Sequence, residues 1–482
     1  MDGSQILLLV VFTPVVGALL LPFLGRVSPR IRNVAALALV LVSLVGSLAL
    51  VPTVFVDGTE VTFRKELTLG VNLLLVADRL AVFMALVSSL VGAVIVLYSW
   101  SYIGHYGHQN EYFLVVVLFL GAMMGLVFSQ NLVVLYLFWE ITAIACWRLI
   151  GFYRERAFVL RADKAFLVTV FGALVMLLGF VLLQAEGGSF DLPALRRTFA
   201  GRPIPDLAVG LILVGILAKS ATLPLHTWLP DAGVAPSPVT ALLHAAVLVK
   251  IGVYVFARLF GATFEVSEVW HVVVPWVAGT SALVSAGAAL VETDIKRIIA
   301  YSTVSQIGFI FLGLSVGNEL GMAGGLLYIL MHGLSKGGLF LCAGIVEQNT
   351  HEKDIRRLGG LARTMPVTAV AFLLCAFSVM GLPPFGGFFA KYMVIAGSMR
   401  SGQVGLTLVF LCGAALTILY LLRVFTMVFL GRPQGETPPE ASRTMVGSVA
   451  LLAALSLLGG IWVSPSAWLV QSTVVHLLVA AR

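Results

Sequence analysis

The chain has 482 residues, of which 60% are hydrophobic and only 11% charged, and its mean hydropathy is +1.03. A soluble domain carries about 25% charged residues, so this chain cannot supply the polar surface that a water-soluble fold of its size needs. The same composition excludes disorder, collagen and a disulfide scaffold. The net charge of +7 reads as the loop Lys and Arg of a membrane protein, not as a nucleic-acid footprint.

Apolar runs long enough to cross a hydrocarbon core recur to the end. Spans are expected near 5–25, 33–56, 78–101, 112–129, 131–152, 163–184, 207–229, 236–261, 268–291, 297–316, 320–346, 366–397, 403–430 and 443–463. The expected class is therefore an all-α polytopic membrane protein with about 14 transmembrane helices. The ~10-residue alternating strands of an outer-membrane barrel are not seen. The first run, Ile6–Leu24, has no basic segment before it and is too long for a signal-peptide core, so it reads as a span and not as a cleaved leader. The short segment Trp468–Ala480 reads either as a partial span or as an interfacial helix. Loops after odd-numbered helices carry about twice the Lys and Arg of the others, which places them in the cytoplasm and both termini outside. The expected location is a bacterial or archaeal cytoplasmic membrane. Cys146, Cys342, Cys375 and Cys412 lie singly in apolar runs, without metal-ligand spacing, and read as small packing residues.

Two spans are interrupted. The seventh reads ILAKSATLPLHTWLP, broken by Pro224 and Pro230, and the twelfth reads SVMGLPPFGGFFAKY, broken at Pro383, Pro384, Gly386 and Gly387. Proline removes a backbone donor and clashes one turn back, and in lipid the freed groups need protein or water partners. The second break follows the first by five spans. Matched breaks in two halves suggest two five-helix repeats, helices 4–8 and 9–13; two unrelated kinks are the alternative. The expected division is 1–110 (helices 1–3), 111–262 (first repeat), 263–431 (second repeat) and 432–482 (last helix and tail).

Ionisable residues at helix centres cost about 2.5–3.5 kcal/mol each on insertion scales, yet several occur here. Glu140 lies mid-span in helix 5, Lys219 just before the break in helix 7, and Lys250 in helix 8. His332 and Lys336 share a face of helix 11, four residues apart, and Lys391 follows the break in helix 12. In a regular helix His244 is about 240° from Lys250, so those two should not share a face. One buried Lys is as easily a snorkelling or structural residue as a functional one. Four lysines with one carboxylate and one histidine, spread over five helices, are not explained by neutral pairing. Low dielectric weakens an ammonium's hold on its proton, whereas a carboxylate about 4 Å away restores it by about 4 kcal/mol. The membrane field adds ~2.3 kcal/mol per charge per 100 mV. These terms are similar in size, which suits a proton relay.

At these residues the chain resembles the antiporter-like membrane subunits shared by respiratory complex I (NADH:quinone oxidoreductase), Mrp-type Na⁺/H⁺ antiporters and membrane-bound hydrogenases. The stretches that carry the resemblance are FWEITAI around Glu140, the block from Ala218 to Tyr254, ETDIKRIIAYSTVSQIGF from Glu292 to Phe309, MHGLSKGGLFL from Met331 to Leu341, and GLPPFGGFFAK from Gly381 to Lys391. The resemblance implies that the two repeats are inverted and flank a hydrated charged axis. It implies that Glu140 and Lys219 form an ion pair, that Lys250, His332 and Lys336 connect the halves, and that Lys391 faces the exit or a neighbouring subunit. His226 and His244 fall in matched motifs and either help the water path or cap a helix break. One complex I subunit type has Glu at the position of Lys391, and another carries a long C-terminal lateral helix for which this chain leaves no room. An Mrp-like, hydrogenase-like or compact complex-I-like member is expected. Arg148 departs from the pattern; it either pairs with Asp163, the favoured reading, or biases the proton inlet at Glu140.

Four functions compete. The first is a proton-translocating subunit of a redox-driven complex, and the second is a subunit of a cation/proton antiporter without a redox partner. A haem or quinone enzyme is disfavoured because His105, His108, His271 and His351 lie near span ends or in loops. A solute transporter is disfavoured because the breaks carry Lys and few Asn, Asp or Gln. No nucleotide, flavin or metal motif occurs, so no cofactor and no chemistry of its own are expected. Flavin, iron–sulfur or nickel–iron centres would belong to partner subunits of a translocating oxidoreductase. The expected partners are other membrane subunits, including homologous antiporter-like ones, the lipid bilayer and protons, with Na⁺ left open and no nucleic acid.

Overall fold

The computed structural model describes residues 2–67, 70–433 and 438–481. It opens with α1 (Gly3–Val27) and α2 (Pro29–Val51), the latter capped by Ser28, whose side chain accepts from the Arg30 N–H, with Pro29 in the first turn. A π turn, Pro52–Val56, leads to an antiparallel hairpin of β1 (Val61–Glu66) and β2 (Asn72–Ala77), in register Val61 with Ala77. The sequence reading did not foresee this hairpin. Then come α3 (Arg79–Tyr102), α4 (Gln109–Phe128), α5 (Leu132–Ile150) and α6 (Arg156–Gly187). Asp78 and Asn131 cap α3 and α5 by accepting from first-turn N–H groups. A short α7 (Leu192–Thr198), also unforeseen, lies in the connection to α8 (Asp206–Lys219).

The helix ends at Lys219 and resumes only as the single turn α9 (Trp228–Asp231). The eighth crossing, Ser237–Gly261, is α10 (Ser237–Ala241), a π turn Leu242–Ala246, α11 (Leu248–Phe256) and a second π turn Ala257–Gly261. Next are α12 (Glu268–Val291), α13 (Ile295–Ser315) and α14 (Glu319–Thr350). The twelfth crossing is α15 (Pro366–Met380), ended by Gly381 at φ +82°, then α16 (Gly386–Arg400). The left-handed φ of Gly381 is why a residue without Cβ stands at that C-cap. The chain closes with α17 (Val404–Phe425), α18 (Arg443–Ile461) and α19 (Val463–Ala481).

Among the described residues, twelve segments are long and apolar enough to cross a membrane. The two interrupted crossings, α8–α9 and α15–α16, fall where the proline-broken spans were expected. The result is a polytopic all-α membrane protein. Its outer helices show exposed apolar stripes, such as Val16, Leu19, Leu20 and Phe23 on α1. The crossing Ser237–Gly261 is wholly buried, and α13 and α14 nearly so. Polar groups on these inner helices therefore face protein and not lipid. Cys146, Cys342 and Cys375 are buried free thiols, while Cys412 is exposed on α17.

The two ends of the bundle differ. One is rich in Lys and Arg: Asp231 binds Lys164 and Arg297, Glu347 binds Lys296 and Lys353, and Asp294 bridges to Asp354. Arg356 beside Asp354 holds that loop carboxylate down at about 2. The opposite end carries the hairpin and α19. Trp468 packs 5.7 Å from the Phe55 ring, Ser472 O accepts from Arg79 at 3.0 Å, and His476 lies 3.4 Å from Glu60. This helix therefore runs across the ends of α2 and α3.

Candidate functional site: a buried row of lysines

The row begins at α5. Trp139 O accepts from Lys219 Nζ at 3.1 Å, and the ammonium sits 5.2 Å from the Trp139 ring centre. The direct Glu140–Lys219 ion pair implied by the resemblance is not formed: Lys219 takes the main-chain oxygen of the neighbouring residue. Glu140 is half-buried, and its Oε1 has no protein partner. Lys219 is the last residue of α8 and wholly buried, so its reach is fixed by where that helix stops. The segment after it brings Ser220, Thr222 and His226 together with buried polar atoms that likewise lack protein partners. Gly252 on α11 touches this break. A Cβ there would lie 2.1 Å from Ser220 Oγ and 2.5 Å from Ile216 O, so the close approach needs glycine.

Lys250 comes next, and the crossing around it is not a regular helix. The π turn Leu242–Ala246 frees carbonyls one turn below, and Lys250 Nζ curls back to His244 O at 3.3 Å and to Ala245 O. Lys250 thus meets the backbone of His244 and not its ring. That ring stacks 4.3 Å from Phe340, and neither nitrogen has a protein partner. Lys250 Nζ also lies 3.1 Å from His332 Nδ1, which joins the first broken half to α14. Lys336, one turn on, donates to Ile299 O at 3.1 Å and to Ser302 Oγ at 2.5 Å. Lys391 Nζ has no hydrogen-bond partner and lies 4.6 Å from the Phe309 ring centre and 5.8 Å from that of Tyr328. All four lysines are buried, the most exposed being Lys391 at 4%.

Residue-by-residue reasoning missed the polar ladder between Lys336 and Lys391. Ser302 Oγ accepts from Tyr420 at 2.7 Å, and Gln306 donates to Tyr420 at 3.4 Å and Thr417 at 3.2 Å. The Tyr328 hydroxyl donates to Gln306 Oε1 at 2.6 Å, and its ring lies under Lys391. The signal was present, because YSTVSQ is a polar run inside a membrane-length helix. Also missed was a buried ion pair, Asp78 with Arg258. Arg258 Nη2 donates to Asp78 Oδ1 at 2.8 Å, Nη1 reaches Oδ2, and Nε donates to the Tyr254 hydroxyl at 3.0 Å. Glu60, Asp78 and His476 bring ligand-type atoms within 4.8 Å of one another, but Asp78 already commits both oxygens to Arg258.

The Arg148–Asp163 pair is also corrected. Arg148 Nε binds Glu111 at the start of α4, where Arg154 joins it at 2.8 Å. Asp163 instead accepts from Trp147 Nε1 at 2.8 Å. Adjacent helical residues point about 100° apart, so Trp147 and Arg148 cannot both face α6.

A row of buried lysines is thus enclosed by membrane-length helices of a polytopic membrane protein. The chain belongs to the family described as NADH:quinone oxidoreductase/Mrp antiporter, TM, which matches residues 129–417. It is 32% identical, over 95% of its length, to Na⁺/H⁺ antiporter subunit A1 of Staphylococcus haemolyticus, and equally to that of Staphylococcus aureus. It spans 61% of the length of those relatives. Its fold is similar to a chain of the Mrp complex from a Dietzia species, with TM-score 0.89 and 22% identity over 98% of this chain and 97% of that one. It is also similar to a chain of the membrane-bound sulfane sulfur reductase, an archaeal respiratory membrane complex, with TM-score 0.90 and 22% identity over 98% of each.

Proposed function

We propose that this chain conducts protons as one subunit of an Mrp-type multi-subunit cation/proton antiporter. The observation that carries the proton path is the buried sequence Lys219, Lys250, His332, Lys336 and Lys391, none of which binds a carboxylate among the described residues. Ammonium and imidazole groups take up and release protons, and a chain of them inside a low-dielectric bundle can pass a proton along. Water is the partner that the unsatisfied atoms of Glu140, His226, His244 and Lys391 require, and it would complete the path between them. The sequence reading put a redox-driven complex first and the antiporter second; the identity to antiporter subunits favours the reverse order. The likeness to the sulfane sulfur reductase supports the redox reading only at the level of fold.

In this reading the Lys- and Arg-rich end faces the cytoplasm and the hairpin end faces outside. No cofactor is assigned to this chain. The test is purification from native membranes in mild detergent, combined with Na⁺-dependent collapse of a proton gradient in everted vesicles. Small hydrophobic partner subunits and Na⁺-driven proton movement are expected. Co-purifying flavin, iron–sulfur or nickel subunits, with no Na⁺ response, would overturn the antiporter reading.

A further inference from the structure

A basin of about 630 Å³ opens at the Lys- and Arg-rich end, between the end of α1 and the starts of α2 and α4. It plays no part in the lysine row. Its wall includes Arg32, only 3% exposed. The Arg32 guanidinium donates Nη1 to Asn110 Oδ1 at 2.6 Å, Nη2 to Gln109 Oε1 at 2.9 Å and to Asn33 Oδ1 at 2.8 Å, and Nε to Asn33 Oδ1 at 3.1 Å. All these acceptors are neutral amide oxygens, and one Nη1 hydrogen is left over. Its remaining contact is the Phe113 ring, 4.8 Å from the guanidinium carbon to the ring centre, so this buried cation has no full counter-charge to offset its desolvation.

The rest of the wall does not supply one. Glu111 is the acid in the lining, and it is committed to Arg148 and Arg154. Arg26 lies over the Phe23 ring, 5.6 Å from its centre, and makes no hydrogen bond. His108 is exposed at the rim. The N-termini of α2 and α4 both open here, and helix N-termini add partial positive charge. Immediately beside the basin, α1 exposes Leu19 at 55%, Phe23 at 61% and Val27 at 76%. Positive charge thus sits at the head of an apolar stripe at the membrane boundary.

We propose that this basin binds one anionic phospholipid, its phosphodiester held by Arg26 and Arg32 and its acyl chains lying on the exposed face of α1. A phosphodiester brings a full negative charge, with paired oxygens that fit the uncommitted guanidinium fork of Arg26 and can also accept the one remaining Arg32 N–H. Basic pockets between transmembrane helices take lipid headgroups by this chemistry. A small soluble anion would satisfy the charge without using the adjoining apolar face, which a lipid's acyl chains also cover.

The test is native mass spectrometry of the intact complex after exchange into micelles containing phosphatidylglycerol or phosphatidylcholine. One phosphatidylglycerol is expected to be retained in preference to phosphatidylcholine. Arg26→Glu should lower that retention at least tenfold, about 1.4 kcal/mol, and Arg26→Lys should keep it. If Arg26→Glu does not assemble, His108→Glu is read in its place. Equal retention of the two lipids, or no loss in the charge-reversed variant, overturns the site. Displacement of the lipid by excess inorganic phosphate would show that the basin reads phosphate alone, and would overturn the lipid assignment.

Discussion

Lys219→Ala removes the ammonium at the end of the first half-helix. That ammonium makes one hydrogen bond, to Trp139 O, and one cation–π contact with the same residue. Losing both costs about 1–3 kcal/mol in stability, small beside the about 5–15 kcal/mol that holds even one domain together. The effect on transport should be far larger. A positioned proton donor or acceptor contributes about 10²–10⁴-fold to the rate of the step it serves, so flux should fall at least about 100-fold. Everted vesicles carrying the assembled complex, with a pH-sensitive dye reporting Na⁺-driven proton movement, read this directly. Size-exclusion of the solubilised complex checks assembly. Lys219→Arg separates two explanations. Arginine keeps the charge and can still donate to Trp139 O, but it does not release its proton at accessible pH. If Lys219→Arg transports within about threefold of the parent, a barrier change below 1 kcal/mol, the group serves as a fixed charge and the relay reading is refuted.

Asp78→Asn should lower thermal stability by about 3–5 kcal/mol, because it leaves the buried Arg258 without its counter-charge; Asp78→Leu with Arg258→Met should recover most of the loss, as read by the melting temperature in detergent. Arg148→Ala should cost less than about 1 kcal/mol, since both partners are partly exposed. Arg148→Glu should be rescued for transport by Glu111→Arg and not by Asp163→Arg. Tyr420→Phe removes the hydroxyl between Ser302 and Gln306 and should slow proton flux about tenfold, with a stability loss no greater than about 1.5 kcal/mol. Gly252→Ala should destabilise by about 1–3 kcal/mol through overpacking, with the break after Lys219 displaced and flux reduced in the same vesicles.

The crossings and the two broken helices were legible because apolar length and proline act locally. The six positions proposed as a relay were conspicuous because a charge at membrane depth stands out against its neighbours. Partner choice was not legible. Arg148 finds Glu111 across 37 residues, and only the packing of α4 against α5 decides that. The π turn at His244 has no proline or glycine to announce it, so a straight helix was the natural expectation. The ladder from Ser302 to Tyr328 was visible as single polar residues in α13 and α14, but its continuity depends on Tyr420, supplied by α17. The hairpin Val61–Ala77 was obscured by its brevity beside two long apolar runs. The tail segment became a continuous helix, and sequence alone could not decide its direction, because its anchors Phe55, Arg79 and Glu60 lie some 400 residues away in the chain.

One puzzle in the sequence was the excess of lysines over acids in the membrane interior. The structure resolves it through the backbone. Lys219 binds Trp139 O, Lys250 binds the His244 and Ala245 carbonyls, and Lys336 binds Ile299 O. Lys391 faces aromatic rings instead. Carbonyl dipoles and ring faces stabilise an ammonium less than a carboxylate does. A full ion pair at an effective dielectric near 20 contributes about 4 kcal/mol and would hold each proton in place, whereas a cation–π contact contributes about 0.5–2 kcal/mol. For Lys250 the π turn Leu242–Ala246 supplies those acceptors, whereas Trp139 O and Ile299 O belong to the continuous helices α5 and α13. In each case the lysine is bound weakly enough for a proton to pass on. Straightening the crossing at that turn therefore carries a cost. A variant that closes the π turn at Leu242–Ala246 would withdraw two acceptors from Lys250, and conduction would stop at that residue even with every titratable group present.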